Sequence, residues 1–270
     1  MNKNLFVVVA LVGLVISFSG CSKDKPNEPT RKKEINKAPV IISIDLEKST
    51  FALNQVTIVR ATVTDPENDP ISLYWTSSTS NIGMGKELEL SFVSVGEKNI
   101  TLKATDIKGN ETIKSTKFNV IYPDFGFALW GDKLEIIERS ETGVFLGNNA
   151  SVIYHFLGDG YDRYYTFDED VLVSGIQERI YTPKVLNPTQ YAIAWTLYEE
   201  ELRKLINLLG EPISLTFSVQ PTGNKSEDGL SLINGAVIEA KFLSSRTKAT
   251  LTIYSKGSTT VCYKTAFSKV

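Results

Sequence analysis

The sequence predicts two folded units in series, an all-β sandwich followed by an α+β domain. Three observations predict it. Between residues 39 and 121 apolar residues alternate with polar ones in short runs broken by turn residues. From residue 187 onward one long amphipathic helical pattern is followed by several strand-like runs. The 270 residues of the chain exceed what one small core organises, so two units are the natural division.

The chain opens Met1-Asn2-Lys3-Asn4 and runs without a charge from Leu5 to Phe18. A largely apolar run of fourteen residues is too short for a spanning helix, which needs roughly twenty, but it suits the core of a secretion signal. Ser19 and Gly20 then lead into Cys21. This order resembles the lipobox of bacterial lipoproteins. The resemblance implies a signal peptide over 1–20 and a diacylglyceryl-modified, palmitate-bearing Cys21. It also implies a protein held to a membrane of the cell envelope. Each buried acyl CH₂ contributes roughly 0.8 kcal/mol, so several chains on one residue hold it there. Ser22 offers no retention signal, and the outer membrane is the expected address.

Residues 21–38 are polar, charged and proline-containing, with Ile35 the one large apolar side chain. Such a segment cannot bury enough surface to offset its ordering entropy and reads as a tether. The whole chain carries a net charge of −2, which excludes the basic footprint of a nucleic-acid binder.

In the first unit, 39–121, alternation puts Val59, Ala61 and Val63 on one face of a strand spanning Thr57 to Val63. Ile71, Leu73 and Trp75 share a face in the next run, Ile100, Leu102 and Ala104 in a third, and Phe118 and Val120 in a fourth. Half-buried antiparallel strands at this spacing make a sandwich. The run Val59-Arg60-Ala61-Thr62-Val63-Thr64-Asp65-Pro66-Glu67-Asn68-Asp69-Pro70-Ile71-Ser72-Leu73-Tyr74-Trp75 gives strand, acidic turn, and strand with Trp. Asn99 to Asn110 adds a late strand ending in Asp106-Ile107-Lys108-Gly109-Asn110. Together they resemble PKD-type and cadherin-like domains of the immunoglobulin-like class, although Thr76-Ser77-Ser78 stands where the best PKD domains have a glycine-rich turn. The resemblance implies that both acidic turns lie at one end of the sandwich. Asp65, Glu67, Asp69, Asp106 and Asn110 then become candidate oxygen ligands for calcium. The alternative is two solvated turns whose Asp, Asn and Pro serve backbone geometry.

In the second unit, 122–270, Asp132 is placed to cap a short helix from Lys133 to Ser140. Strand-like runs span Ala150 to Leu157 and Tyr164 to Ser174, with Gly158-Asp159-Gly160 as a hairpin turn. Asn187, Pro188 and Gln190 read as N-cap, first helical residue and capping-box partner. Tyr191, Ala194, Trp195, Tyr198, Leu202, Leu205, Ile206 and Leu209 then form a stripe, with Glu199–Arg203 and Glu200–Lys204 as pairs on the wet side. Gly210 and Pro212 end the helix. Strands follow over Ile213 to Val219, Ala236 to Phe242, Ala249 to Tyr254 and Thr260 to Phe267, and Pro221 to Asp228 reads as a mobile loop. Helices on an antiparallel sheet are the α+β solution. The run Tyr164 to Gly175, an aromatic strand, an acidic turn and a restarting strand, is similar to modules of small envelope lipoproteins and of the β-lactamase inhibitor protein. That resemblance implies a binding role.

The inventory of reactive residues is thin. With His155 the one histidine and Cys262 the one cysteine besides Cys21, zinc sites built from His and Cys are excluded. No Gly-x-Ser-x-Gly elbow or phosphate-cradling glycine loop occurs. His155 reads as a strand residue, and Cys262 as a small buried hydrophobe. Tyr161, Tyr164 and Trp130 are the aromatic candidates for holding a protein or glycan partner. The expected function is a non-catalytic binding, adhesion or scaffold module needing no cofactor, calcium aside. The rival is a small envelope hydrolase or carbohydrate-acting enzyme using paired carboxylates.

Overall fold

The computed structural model describes residues 35–78, 80–148, 153–158 and 160–270. The expected signal peptide, Cys21 and nearly all of the expected tether lie outside these residues. One compact unit spans Asn36–Val270.

The first unit is an immunoglobulin-like sandwich. One sheet has the order β1 (Val40–Leu46), β3 (Thr57–Thr64), β6 (Glu87–Leu90). The other runs β2 (Thr50–Ala52), β8 (Glu111–Ile121), β7 (Gly96–Asp106), β4 (Ile71–Ser77), β5 (Ser80–Met84). All pairs are antiparallel except β2–β8, where the early strand runs parallel to the last. The alternating residues meet between the sheets: Val59, Ala61, Val63, Leu73, Trp75, Ile100, Leu102, Ala104, Phe118 and Val120 form one core with Phe51. Trp75 is wholly enclosed and donates its indole N–H to the Gly85 carbonyl at 2.9 Å, so burying the ring orphans no donor. Strands β1, β2, β5 and β6 were not foreseen.

The second unit is one eight-stranded antiparallel sheet. It is built from β9 (Val144–Asn148), β10 (Ile153–Gly158), β11 (Tyr161–Asp168), β12 (Val171–Tyr181), β13 (Ser214–Phe217), β14 (Ile238–Leu243), β15 (Thr247–Lys256) and β16 (Thr260–Lys269). The spatial order is β13-β14-β15-β16-β12-β11-β10-β9. Helices α1 (Leu134–Ser140), α2 (Pro188–Leu209) and α3 (Lys225–Ile233) accompany it. Ile137 of α1, Ala194, Tyr198 and Leu205 of α2 and Leu232 of α3 join one core with Tyr165, Leu251 and Tyr263 of the sheet. The tight α2–α3 contact depends on Gly229, where a Cβ would stand 1.8 Å from the Tyr191 carbonyl oxygen. No described helix is long and apolar enough to cross a membrane.

Four local expectations are corrected. Asp132 does not cap α1; Lys133 holds the cap position without a side-chain bond, because Asp132 turns toward the sandwich. Asn187 does cap α2, accepting from Gln190 N at 3.0 Å, but the Gln190 amide oxygen accepts from Tyr181 OH rather than closing a capping box. Glu199 and Glu200 pair with Lys225 and Arg179, not with Arg203 and Lys204, because α3 and β12 offer nearer cations. The segment expected to be a mobile loop contains the start of α3, where Asn224 accepts from Ser226 N and buried Asp228 accepts from Thr222 N and Gly223 N. Cys262, as expected, is buried in its strand.

Candidate functional site

The chain enters the sandwich at one end and leaves at the other. At the entry end Asn36 Nδ2 donates to Asp106 Oδ2 at 2.5 Å, and Lys37 N donates to Glu67 Oε2 at 3.1 Å. At the exit end Gln55 Nε2 donates to Asp132 Oδ2 at 2.6 Å, and Lys48 Nζ donates to the same carboxylate. Val56 N donates to Ser140 Oγ, and Arg139 bridges to Glu47 at 2.8 Å. The eleven residues of β8 span the sandwich between these ends, about 35 Å.

The five candidate calcium ligands do converge at the entry end, but their oxygens are largely committed. Asp65 Oδ1 accepts from Glu67 N and Asp69 N, which shapes its turn. Asp106 Oδ1 accepts from Lys108 N and Asn110 N, and its Oδ2 from Asn110 Nδ2. Burial alone would raise the Asp106 pKa, but these bonds and that from Asn36 pull it down to about 2. The Lys108 ammonium reaches Asp69 Oδ2 at 3.1 Å and Asn36 Oδ1 at 2.7 Å. The exposed Lys108 ammonium thus lies among the candidate calcium ligands. Asp65 Oδ2 is buried without a donor among the described residues. Among the described residues no group of three or more His, Cys, Asp or Glu is arranged to hold a metal ion.

The second unit contains a cavity of about 220 Å³ between its sheet and α2. The floor is Arg163 of β11, Gln177 of β12, and Thr265 and Phe267 of β16. The wall is Glu201, Lys204, Leu205 and Leu208 of α2, and the roof is the loop 123–127. Leu208 and Lys204 are exposed and mark the mouth. The roof is seated by Phe125, whose ring lies 5.1 Å from that of Phe267 and 4.9 Å from that of Tyr165. Gly175 makes this possible: a Cβ there would meet the Phe125 ring at 2.2 Å.

The acidic and basic side chains in and beside the cavity pair with one another. Glu201, 4% exposed, accepts from Lys204 Nζ at 3.0 Å, Arg179 Nη1 at 3.3 Å and Tyr161 OH at 2.5 Å. Arg163 pairs with the buried Glu141 carboxylate at 3.1 Å, and Tyr165 OH donates to the same group. Burial, reinforced by Glu201, pushes the Tyr161 phenol above its ordinary range, and burial followed by Glu141 does the same for Tyr165. What remains is neutral. The Gln177 amide and the Thr265 hydroxyl line the cavity and make no hydrogen bond among the described residues, and Thr265 is 3% exposed.

The aromatic candidates fare unequally. Tyr161 does not line the cavity; it is half-buried against α2 behind Glu201, with Lys204 5.0 Å and Arg179 5.8 Å from its ring, rather than projecting from a turn. Trp130 is turned inward, its indole N–H donating to Thr247 Oγ1 at 2.9 Å. Tyr164, half-buried, alternates with the core-facing Arg163 and Tyr165 and so lies on the opposite sheet face. His155 pairs in register with Tyr164 on β10, and its side chain lies outside the described residues. Glu201 and Gln177 were missed. Glu201 interrupts an apolar stripe between Tyr198 and Leu205, and that was the available signal.

No family model matches the chain, and no curated protein matches it. Among solved structures it is similar to the PKD1 domain of Vibrio anguillarum Epp, at 20% identity over 33% of this chain and 100% of that one, with a TM-score of 0.28. The PKD1 domain of the Vibrio cholerae metalloprotease PrtV is similar at 21% identity over 31% and 98%, with a TM-score of 0.26. A carbohydrate-binding module of the β-sandwich superfamily matches at 11% identity over 87% and 93%, with a TM-score of 0.31. Identities of this order bear on fold alone, and no functional property passes from these proteins to this chain.

Proposed function

We propose that the protein is a lipid-anchored, non-catalytic binding protein of the bacterial cell envelope, held to the outer membrane through Cys21. In this reading the sandwich is a spacer and the α+β unit holds the ligand. Chain entry and exit at opposite ends of the sandwich support the spacer role. The observation on which the reading rests is the chemistry of the cavity. Glu201 is engaged by Lys204, Arg179 and Tyr161, and Glu141 by Arg163 and Tyr165, so neither carboxyl is free to work on a substrate, while the uncommitted Gln177 amide and Thr265 hydroxyl face the space. Such a lining suits holding a ligand better than transferring a proton.

The anchor is tested by palmitate labelling. Incorporation should vanish in Cys21→Ala and the protein should leave the membrane fraction; an unlabelled wild type, or a Cys21→Ala chain still in the membrane, refutes it. The rival hydrolase is tested with chromogenic glycosides: turnover abolished by Glu201→Gln or Glu141→Gln would replace the binding reading.

A further inference from the structure

We infer that the cavity between α2 and the sheet takes a single neutral sugar ring, an assignment that rests on the binding reading above. Three features converge. The volume of about 220 Å³ is many times the roughly 10–15 Å³ that one water requires, enough to admit a small ring with its hydroxyls. The uncommitted polar groups, the Gln177 amide and Thr265 hydroxyl, each both donate and accept, as a sugar hydroxyl does. The remaining lining is apolar, with Phe125, Phe127, Phe267, Leu205 and Leu208 offering surfaces for the C–H face of a ring.

Charge argues against an anionic ligand. Arg163 and Lys204 line the cavity, but Glu141 and Glu201 already engage them, and an anion would have to displace a buried carboxylate. A cationic ligand would face three cations held around Glu201 and Glu141. A long peptide does not fit the volume. A neutral ligand disturbs neither ion pair, and it meets a Thr265 hydroxyl that faces the cavity with no hydrogen-bond partner among the described residues.

The test is saturation-transfer NMR on the full chain in a sugar-free detergent, with D-glucose, D-galactose, N-acetyl-D-glucosamine, glycerol and sodium glutamate as probes. Transfer to the ring protons of at least one sugar is expected. Binding should be roughly three- to tenfold weaker in Thr265→Val and in Gln177→Leu and retained in Thr265→Ser, which keeps the hydroxyl. No transfer to any sugar, stronger binding of glutamate, or sugar binding unchanged in both variants overturns the assignment. A silent sugar panel beside normal palmitate labelling removes the ligand class alone; failed labelling with sugar binding intact removes the anchor alone.

Discussion

Replacing Asp132 with alanine tests the junction between the two units most directly. Asp132 is 5% exposed and accepts from Gln55 Nε2 at 2.6 Å, from Leu129 N at 2.9 Å and from Lys48 Nζ. The alanine variant strands a buried amide and a backbone N–H, at about 1 kcal/mol or more each. It also leaves the Lys48 ammonium without its counter-ion. Breaking a fully buried pair costs about 3–5 kcal/mol, but the Lys48 side chain keeps 22% exposure, so its share is smaller. A total near 3 kcal/mol is expected. Urea unfolding followed by fluorescence reads it, since Trp75 reports the sandwich and Trp130 and Trp195 the second unit. Adding Lys48→Met should recover part of the loss, because the uncompensated ammonium is gone. A loss below about 1 kcal/mol, or no recovery in the double variant, would refute the reasoning.

Other expectations follow from single contacts. Asp106 has a folded pKa of about 2, below its ordinary 3.8, so its contribution is complete above pH 4 and lost as the pH falls through 2; in thermal melts the advantage of wild type over Asp106→Asn should shrink across that window. Gly229→Ala drives a Cβ into the Tyr191 carbonyl and should cost about 1–3 kcal/mol by separating α2 from α3, measured as a fall in urea midpoint. Millimolar calcium should leave the wild-type melting temperature unchanged, because the Lys108 ammonium already sits on Asp69; a rise would show that the five entry-end residues rearrange around the ion. Glu201→Gln removes a charge that holds the Tyr161 phenol protonated, and absorbance titration should find that phenol ionising at lower pH than in wild type.

Much of the fold was legible because one signal dominates where strands have a wet face. Thr57 to Val63 and Ile100 to Ala104 alternate cleanly, and their apolar members are the core. Strands β5 and β6 escaped because Ser80–Met84 and Glu87–Leu90 are only five and four residues long, too short to establish a period. Helix α3 escaped because Gly229 looks like a loop residue, although it is there to let two backbones approach. The cavity was the least legible part. Arg163, Gln177, Glu201 and Thr265 come from three strands and a helix, and each alone looks like a residue of a solvated face. Asp132 shows the same difficulty: a side chain free to cap its own helix was drawn to a lysine and a glutamine some eighty residues earlier, and no local pattern records that.

The sealed thiol of Cys262 gives the protein an internal clock. With no surface open to solvent and burial raising its pKa, the sulfur is unreactive in the native chain, and if Cys21 bears lipid it is the only sulfhydryl left. A thiol reagent can then label the folded molecule only during excursions that part β16 from its neighbours. The labelling rate therefore counts openings of the sheet, and it should slow when a ligand settles against Thr265, three residues along the same strand.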